Sequence, residues 1–299
     1  MKQFYHGAKQ NGPYFEGWYL KCQTANEQSL ALIPAVHIDA SGKRSASLQV
    51  ITNQKSWWFG FPAASLQVFE DTLFIALDKN TFTDEGIELS IHQNDLTLDG
   101  KIDFGSFTPL KSDIMGPFRF LPDMECAHGV ISMKHPIYGQ LTLNGETLDF
   151  GGGSGYIETD RGCSFPSAYL WTQCFWKAPQ SISLMLSIAT IPTPIGPFTG
   201  CICAICCNRR EYRLATYRGA RIQHWSDKGA IIRQGKYHLE VNMLEAKAHP
   251  LRAPIQGNME RTIHESLCTK VRYRFWISKN LIFDHTDRCA SFEFSSECE

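Results

Sequence analysis

Apolar and polar residues alternate in short runs through most of this chain, and turn residues stand between the runs. Alternation with a period of two is the mark of a half-buried β-strand. Ser45–Thr52 shows it plainly, and Gly86–His92 is a β-prone run set off by turn residues. Leu30–Ile38, Asp71–Leu77, Gly200–Ile205, Glu211–Thr216, Lys236–Leu244 and Thr269–Ile277 are further β-prone runs. Asn144-Gly145 separates Gly139–Leu143 from Glu146–Phe150, and Asn-Gly is the strongest short hairpin dipeptide. Asp99-Gly100 predicts a second hairpin within 95–103. Helical periodicity is weak, with 113–126 read as a short helical or loop excursion. Short strands at regular spacing fold as barrels or sandwiches, so the expected class is all-β.

At 299 residues the chain exceeds a typical single domain. Two passages echo each other: Trp18–Cys22 followed by Ser29–Pro34, and Leu170–Cys174 followed by Ser183–Ile188. Each is an aromatic strand ending in Cys, then an apolar strand. Two similar β-domains would produce this echo, and so would chance likeness between strands. The Gly151–Gly155 loop is the natural boundary, giving domains 1–150 and 151–299.

The net charge is −1 and aromatics make up 12% of residues. A near-neutral chain has no electrostatic reason to bind nucleic acid. Its aromatic content suits an apolar cavity as well as a large core, and a hydrophobic small molecule is the expected partner. No run approaches the roughly 20 apolar residues of a membrane helix; the apolar stretch 182–205 is broken by prolines, Pro192 and Pro197 among them. Peripheral contact with a membrane stays open. Met1–Gly7 carries no apolar run after its charge, unlike a secretory signal, so a cytoplasmic location is expected. The 11 cysteines are then expected to be free thiols.

The segment Gly151–Gln173 concentrates Tyr156, Glu158, Asp160, Tyr169, Trp171 and Gln173. On an extended strand Tyr156, Glu158 and Asp160 face one side together. A carboxylic acid among aromatic faces can protonate an alkene and stabilise the cation that results. The plainer reading is a solvated turn in which Asp160 and Arg161 cap strands. Glu16, between Phe15 and Trp18, is a second acid candidate, or a strand residue paired with Lys or Arg. Glu125 and His128 form an acid/base or ligand pair, or His128 is a satisfied structural histidine; the spacing matches no zinc pattern, and no metal site is expected. Cys203 and Cys206 form a C-x-x-C with no second pair, which reads as a buried strand of small residues. Gly151-Gly152-Gly153 lacks the Lys and helix start of a phosphate loop.

Several segments together resemble the tocopherol cyclase family, including its bacterial members. They are Pro13–Tyr19, Met124–Gly129, Gly155–Gly162 with Ser164–Pro166, Tyr169–Trp171, Glu211–Thr216 and Val271–Trp276, which span nearly the whole chain. The resemblance implies two tandem lipocalin-like β-barrels, as in the related carotenoid hydratases. It implies a cofactor-free reaction in which a prenyl double bond is protonated and an oxygen captures the cation. The acid of the hydratase relatives falls on Glu158, with Glu16 as second choice. Tyr156, Trp18, Trp171, Tyr169 and His128 are then expected to line the substrate, with Asp160 or Gln173 orienting the nucleophile. Glu158 is expected to share a cavity with Trp18 or Trp171. Where plant cyclases carry Asn-Trp-Gly this chain has Asp160-Arg161-Gly162, so a plant-type substrate does not follow. A non-catalytic barrel that binds an apolar ligand is the alternative.

Overall fold

The alternating runs become two antiparallel sheets. A computed structural model describes residues 3–120, 124–177, 179–192, 196–245 and 249–296. Among these residues there is no α-helix, only short 3₁₀ turns at Gly7–Lys9, Ala63–Ser65, Gly116–Phe120 and Thr216–Arg218. The first sheet contains β1 (Tyr14–Gln23), β2 (Ser29–Ile38), β3 (Arg44–Thr52), β4 (Ser56–Pro62), β5 (Leu66–Val68), β6 (Phe74–Leu77), β7 (Asn80–Thr83), β8 (Gly86–Gln93), β9 (Leu96–Phe104), β10 (Cys126–Leu143), β11 (Glu146–Asp149) and β12 (Gly153–Gly162). The second contains β13 (Ala168–Trp176), β14 (Ile182–Ile191), β15 (Phe198–Cys207), β16 (Arg210–Ala215), β17 (Arg221–Ser226), β18 (Gly229–Gln234), β19 (Tyr237–Glu245), β20 (His249–Ile255), β21 (Asn258–Ile277) and β22 (Asn280–Ser295).

The chain divides into two compact units. The first comprises Met1–Pro109, Val130–Phe165 and Leu251–Thr262. Its strands run in the order β4-β3-β2-β1-β12-β10-β9-β8-β7-β6-β5, so neighbours in sequence are mostly neighbours in space. One apolar core draws on Phe59 of β4, near one end of this path, and is met by Leu66 and Val68 of β5 at the other. The apolar face of the sheet therefore wraps around a single interior, as a small barrel filled by its own side chains does. Trp18, Leu20, Cys22, Phe82 and Phe150 fill it.

The second unit comprises Leu110–Gly129, Pro166–Pro250 and Ile263–Glu299, with strand order β16-β15-β14-β13-β22-β21-β19-β18-β17. Leu170, Cys174, Leu184, Cys203, Phe275 and Phe292 belong to its core. The fold is all-β, built of lipocalin-like barrels. The expected excursion at 113–126 contains the 3₁₀ turn Gly116–Phe120, and its residues 121–123 lie outside the described set. Buried Arg213 anchors it by donating to the carbonyls of Asp113 (3.0 Å) and Ser112 (3.1 Å) while pairing with Glu211 at 2.8 Å.

Two local expectations differ from the structure. The Asn144-Gly145 turn forms as expected: Leu143 pairs with Glu146, and both turn residues have positive φ. Asp99-Gly100 is no turn. It lies inside β9, and the chain reverses instead at Asn94, whose φ is 55°. Gly100 is there because β10 comes close, and a Cβ would stand 2.4 Å from the Gln140 carbonyl oxygen. The expected boundary at Gly151 also moves. β12 pairs along its length with β1, so 153–162 completes the first sheet and the first unit reaches Phe165.

The C-x-x-C lies within β15, as its composition suggested. Residues three apart on a strand project to opposite faces. Cys203 enters the core and Cys206 does not, so the two thiols cannot grip one ion as a pair. Burial pushes the Cys206 thiol up to about 11 and Cys22 to about 12, which keeps both protonated at neutral pH.

Two buried histidines are held neutral. His37 Nε2 lies 2.8 Å from Ser47 Oγ, and His135 Nδ1 lies 3.0 Å from Ser132 Oγ with Phe104 and Phe107 against its ring. Burial pushes each from 6.5 down to about 4. The unfolded chain therefore binds more protons than the folded one below pH 6.5. Stability is unaffected above that value, declines as pH falls, and levels off below about 4. By pH 5 the expected loss is about 2 kcal/mol per histidine. Urea unfolding at pH 7.5 and 5.0 measures it, and His37→Gln should remove about half of that loss.

Candidate functional site

The antiparallel ladder between β1 and β12 carries the predicted residues of the first unit. Directly opposed residues on such a ladder share a face. Tyr19 opposes Glu158, Lys21 opposes Tyr156, and Gly17 opposes Asp160, so these side chains stand together on one face. Glu16 opposes Arg161 and Trp18 opposes Thr159, on the other face. Trp18 enters the barrel core, which makes that face the inner one and places Glu158 on the outer face. Glu158 and Trp18 therefore do not share a cavity. Arg161 also projects away from Glu158 across that ladder.

The outer face is polar yet buried. Tyr156 and Lys21 are 0% exposed and Glu158 is 4% exposed. The neighbouring strands continue the pattern with buried His37 and Ser47 and with Gln49. The arm 251–257 covers part of it. Gln49 accepts from the Arg252 N–H at 2.8 Å and donates to its carbonyl at 3.0 Å, and the Arg252 guanidinium lies 4.2 Å from the Trp58 ring centre.

On this face the Tyr156 hydroxyl donates a short hydrogen bond to Glu158 Oε2. A carboxylate oxygen of Asp160 lies within 4.8 Å of one of Glu158. Burial raises the Tyr156 phenol well above its usual range, and the negative charge and hydrogen bond of Glu158 raise it further. The phenol is a permanent donor at physiological pH. Lys21 sits diagonally from Glu158 across the ladder, a separation that a long side chain spans.

The inner face carries a second Tyr-x-Glu pair. The Tyr14 hydroxyl donates to Glu16 Oε2 at 2.7 Å, the His6 backbone N–H donates to the same oxygen at 2.8 Å, and His6 Nδ1 lies 2.8 Å from Oε1. Glu16 is 0% exposed. A buried carboxylate held by three groups fixes the N-terminal segment against β1.

In the second unit Tyr169, Trp171 and Gln173 alternate along β13 and share the face away from the core, while Leu170 and Cys174 enter it. His128 is buried near the start of β10. Elsewhere in this unit a cavity of about 370 Å³ is lined by Thr199, Thr216, Ile222 and Trp225, and another of about 310 Å³ by Trp225, Phe294 and Thr190.

Sequence reasoning missed Lys21, Tyr14 and His6. A signal for Lys21 existed: it is a lone cation inside the apolar run Trp18–Cys22, at the alternate position that shares a face with Tyr19. Tyr14 shows the same Tyr-x-Glu spacing as Tyr156, but nothing local says which face either occupies.

By sequence, the chain matches no family profile and no curated protein. Its structure is similar to several solved ones. CghA aligns with TM-score 0.59 and 10% identity, over 96% of this chain and 90% of that one. A protein from Nitrosomonas europaea assigned as AttH aligns with TM-score 0.55 and 11% identity, over 95% and 92%. Kievitone hydratase from Nectria haematococca aligns with TM-score 0.54 and 10% identity, over 96% and 90%. At these identities the likeness establishes the shared fold.

Proposed function

We propose that this protein is a cofactor-free acid catalyst of the tocopherol cyclase type, acting on a prenylated quinol or a related isoprenoid. The observation that carries the reading is the cluster of buried Tyr156 and Glu158 with half-buried Asp160 on the outer face of the first barrel. In this reading Glu158 is the proton donor and Asp160 is the second carboxylate beside it. In the step proposed, the Glu158 carboxyl gives its proton to the less substituted carbon of a prenyl double bond, leaving a tertiary cation and a carboxylate. The Tyr156 hydroxyl then stabilises that carboxylate by donation. A phenol oxygen of the substrate, or water, bonds to the cation, and its proton passes to Asp160 and back to Glu158. Cyclisation is thus an isomerisation and hydration adds one water, with no electron donor or acceptor. One of the proteins sharing the fold is by its name a hydratase, which supports keeping water among the nucleophiles.

The test is incubation of a prenylated hydroquinone with the protein in D₂O. The expected product is the chroman or the tertiary alcohol with one carbon-bound deuterium at the former alkene CH. No product, or a product without that deuterium, refutes acid catalysis. Saturable binding without conversion would favour the second reading, a binding protein for an apolar ligand, for which the cavities beside Trp225 speak.

A further inference from the structure

The centres of the two units repeat one arrangement of strands. β1 lies between β2 and β12, and β13 lies between β14 and β22. Cys22 faces one core opposite Leu30, and Cys174 faces the other opposite Leu184. With these cysteines matched, Lys21 corresponds to Gln173 and Tyr19 to Trp171. Across the ladder, Glu158 opposes Tyr19 and Glu293 opposes Trp171. Glu293 is also buried. Each unit thus carries a buried carboxylate at the same register position.

The repeat departs from itself at Gln173. This side chain is 0% exposed, and among the described residues neither its Oε1 nor its Nε2 has a hydrogen-bond partner. Trp171 and Phe175 flank it on the same face of β13, Met185 opposes it on β14 and Ser291 on β22. A buried amide with both ends unused is costly, and an apolar residue of its shape would stabilise the fold. Such a group is kept where something outside the chain supplies the missing bonds.

We propose that Gln173, with Glu293 beside it, recognises a planar neutral carboxamide or lactam on the second unit. The primary amide of Gln173 offers an acceptor and donors side by side in one plane. Its complement is a group with an N–H and a carbonyl in the same arrangement. Trp171 and Phe175 provide aromatic surface for a planar ligand. The Glu293 carboxylate accepts a ligand N–H and disfavours an anion, so an amide is selected over a carboxylate. This site stands on its own observations and does not depend on acid chemistry at Glu158.

The experiment titrates the full-length protein with benzamide and with benzoate by calorimetry, and records Tm without ligand. Benzamide should bind saturably, and benzoate about tenfold more weakly or worse. Gln173→Met keeps the shape and removes the amide. It should weaken benzamide binding about tenfold or more and raise the Tm by about 2–4 °C or more. Glu293→Gln should narrow the gap between benzamide and benzoate. No saturable binding of benzamide to the wild type, or equal binding by Gln173→Met, overturns the proposal. A lower Tm for Gln173→Met, or its failure to fold, overturns it too, because either shows that the amide is already bonded within the protein. An unchanged gap in Glu293→Gln removes Glu293 from the site.

Discussion

Glu158→Gln should lower turnover of a prenylated hydroquinone by about 10²–10⁴-fold, the usual contribution of a general acid. The substitution keeps the shape of the side chain and removes the acidic proton. Substrate affinity and the unfolding midpoint should change little, since Gln still accepts from the Tyr156 hydroxyl through its carbonyl oxygen. Tyr156→Phe should be milder: the proton remains, but the carboxylate left after transfer loses a donor. Initial rates at saturating substrate, with binding measured separately, distinguish a lost chemical step from lost affinity. A wild-type rate from Glu158→Gln on a verified substrate ends the proposal for this residue. Failure of both variants to bind substrate would instead point to a role in recognition.

Glu16→Ala should destabilise the fold by about 3–5 kcal/mol, because it strips a buried carboxylate from groups built around it. The Tyr14 hydroxyl and the His6 backbone N–H would lose their acceptor, and the N-terminal segment its tie to β1. His6 is partly exposed, so water takes up some of the loss there. Glu16→Gln should cost less, about 1–3 kcal/mol, since its carbonyl oxygen can take the place of Oε2 and accept both donors, leaving only the contact of His6 Nδ1 with Oε1 changed. The activity of the folded fraction should survive both changes. This contrast separates the two acid candidates: Glu158 variants lose rate and keep stability, and Glu16 variants do the reverse. Urea denaturation with parallel activity assays measures both. Loss of rate in a fully folded Glu16→Gln protein would move the acid to the inner face.

Much of this architecture is written locally. The period-two pattern determines that the chain forms strands, because alternate side chains leave a strand on opposite sides. That rule alone groups Tyr156 with Glu158 and Asp160, groups Tyr169 with Trp171 and Gln173, and separates Cys203 from Cys206. Asn144-Gly145 forms its turn because two consecutive residues with positive φ suit few other pairs. The echo between Trp18–Cys22 and Leu170–Cys174 reflects a shared register in the two units.

Other features depend on partners distant in sequence. Whether Asp99-Gly100 turns or continues depends on β10, some forty residues on, whose approach needs a glycine in an unbroken strand. β12 joins the first unit through hydrogen bonds to β1, more than a hundred residues earlier, and a boundary read from a Gly-rich loop cannot register that. The two Tyr-x-Glu pairs look alike in sequence. One is a structural clasp inside a barrel, and the other is a buried acid cluster on its outside. Parity states which side chains travel together, but the closing of the sheet around Trp18 decides which face is inside. That closure is a property of the whole barrel core, and no single strand contains it.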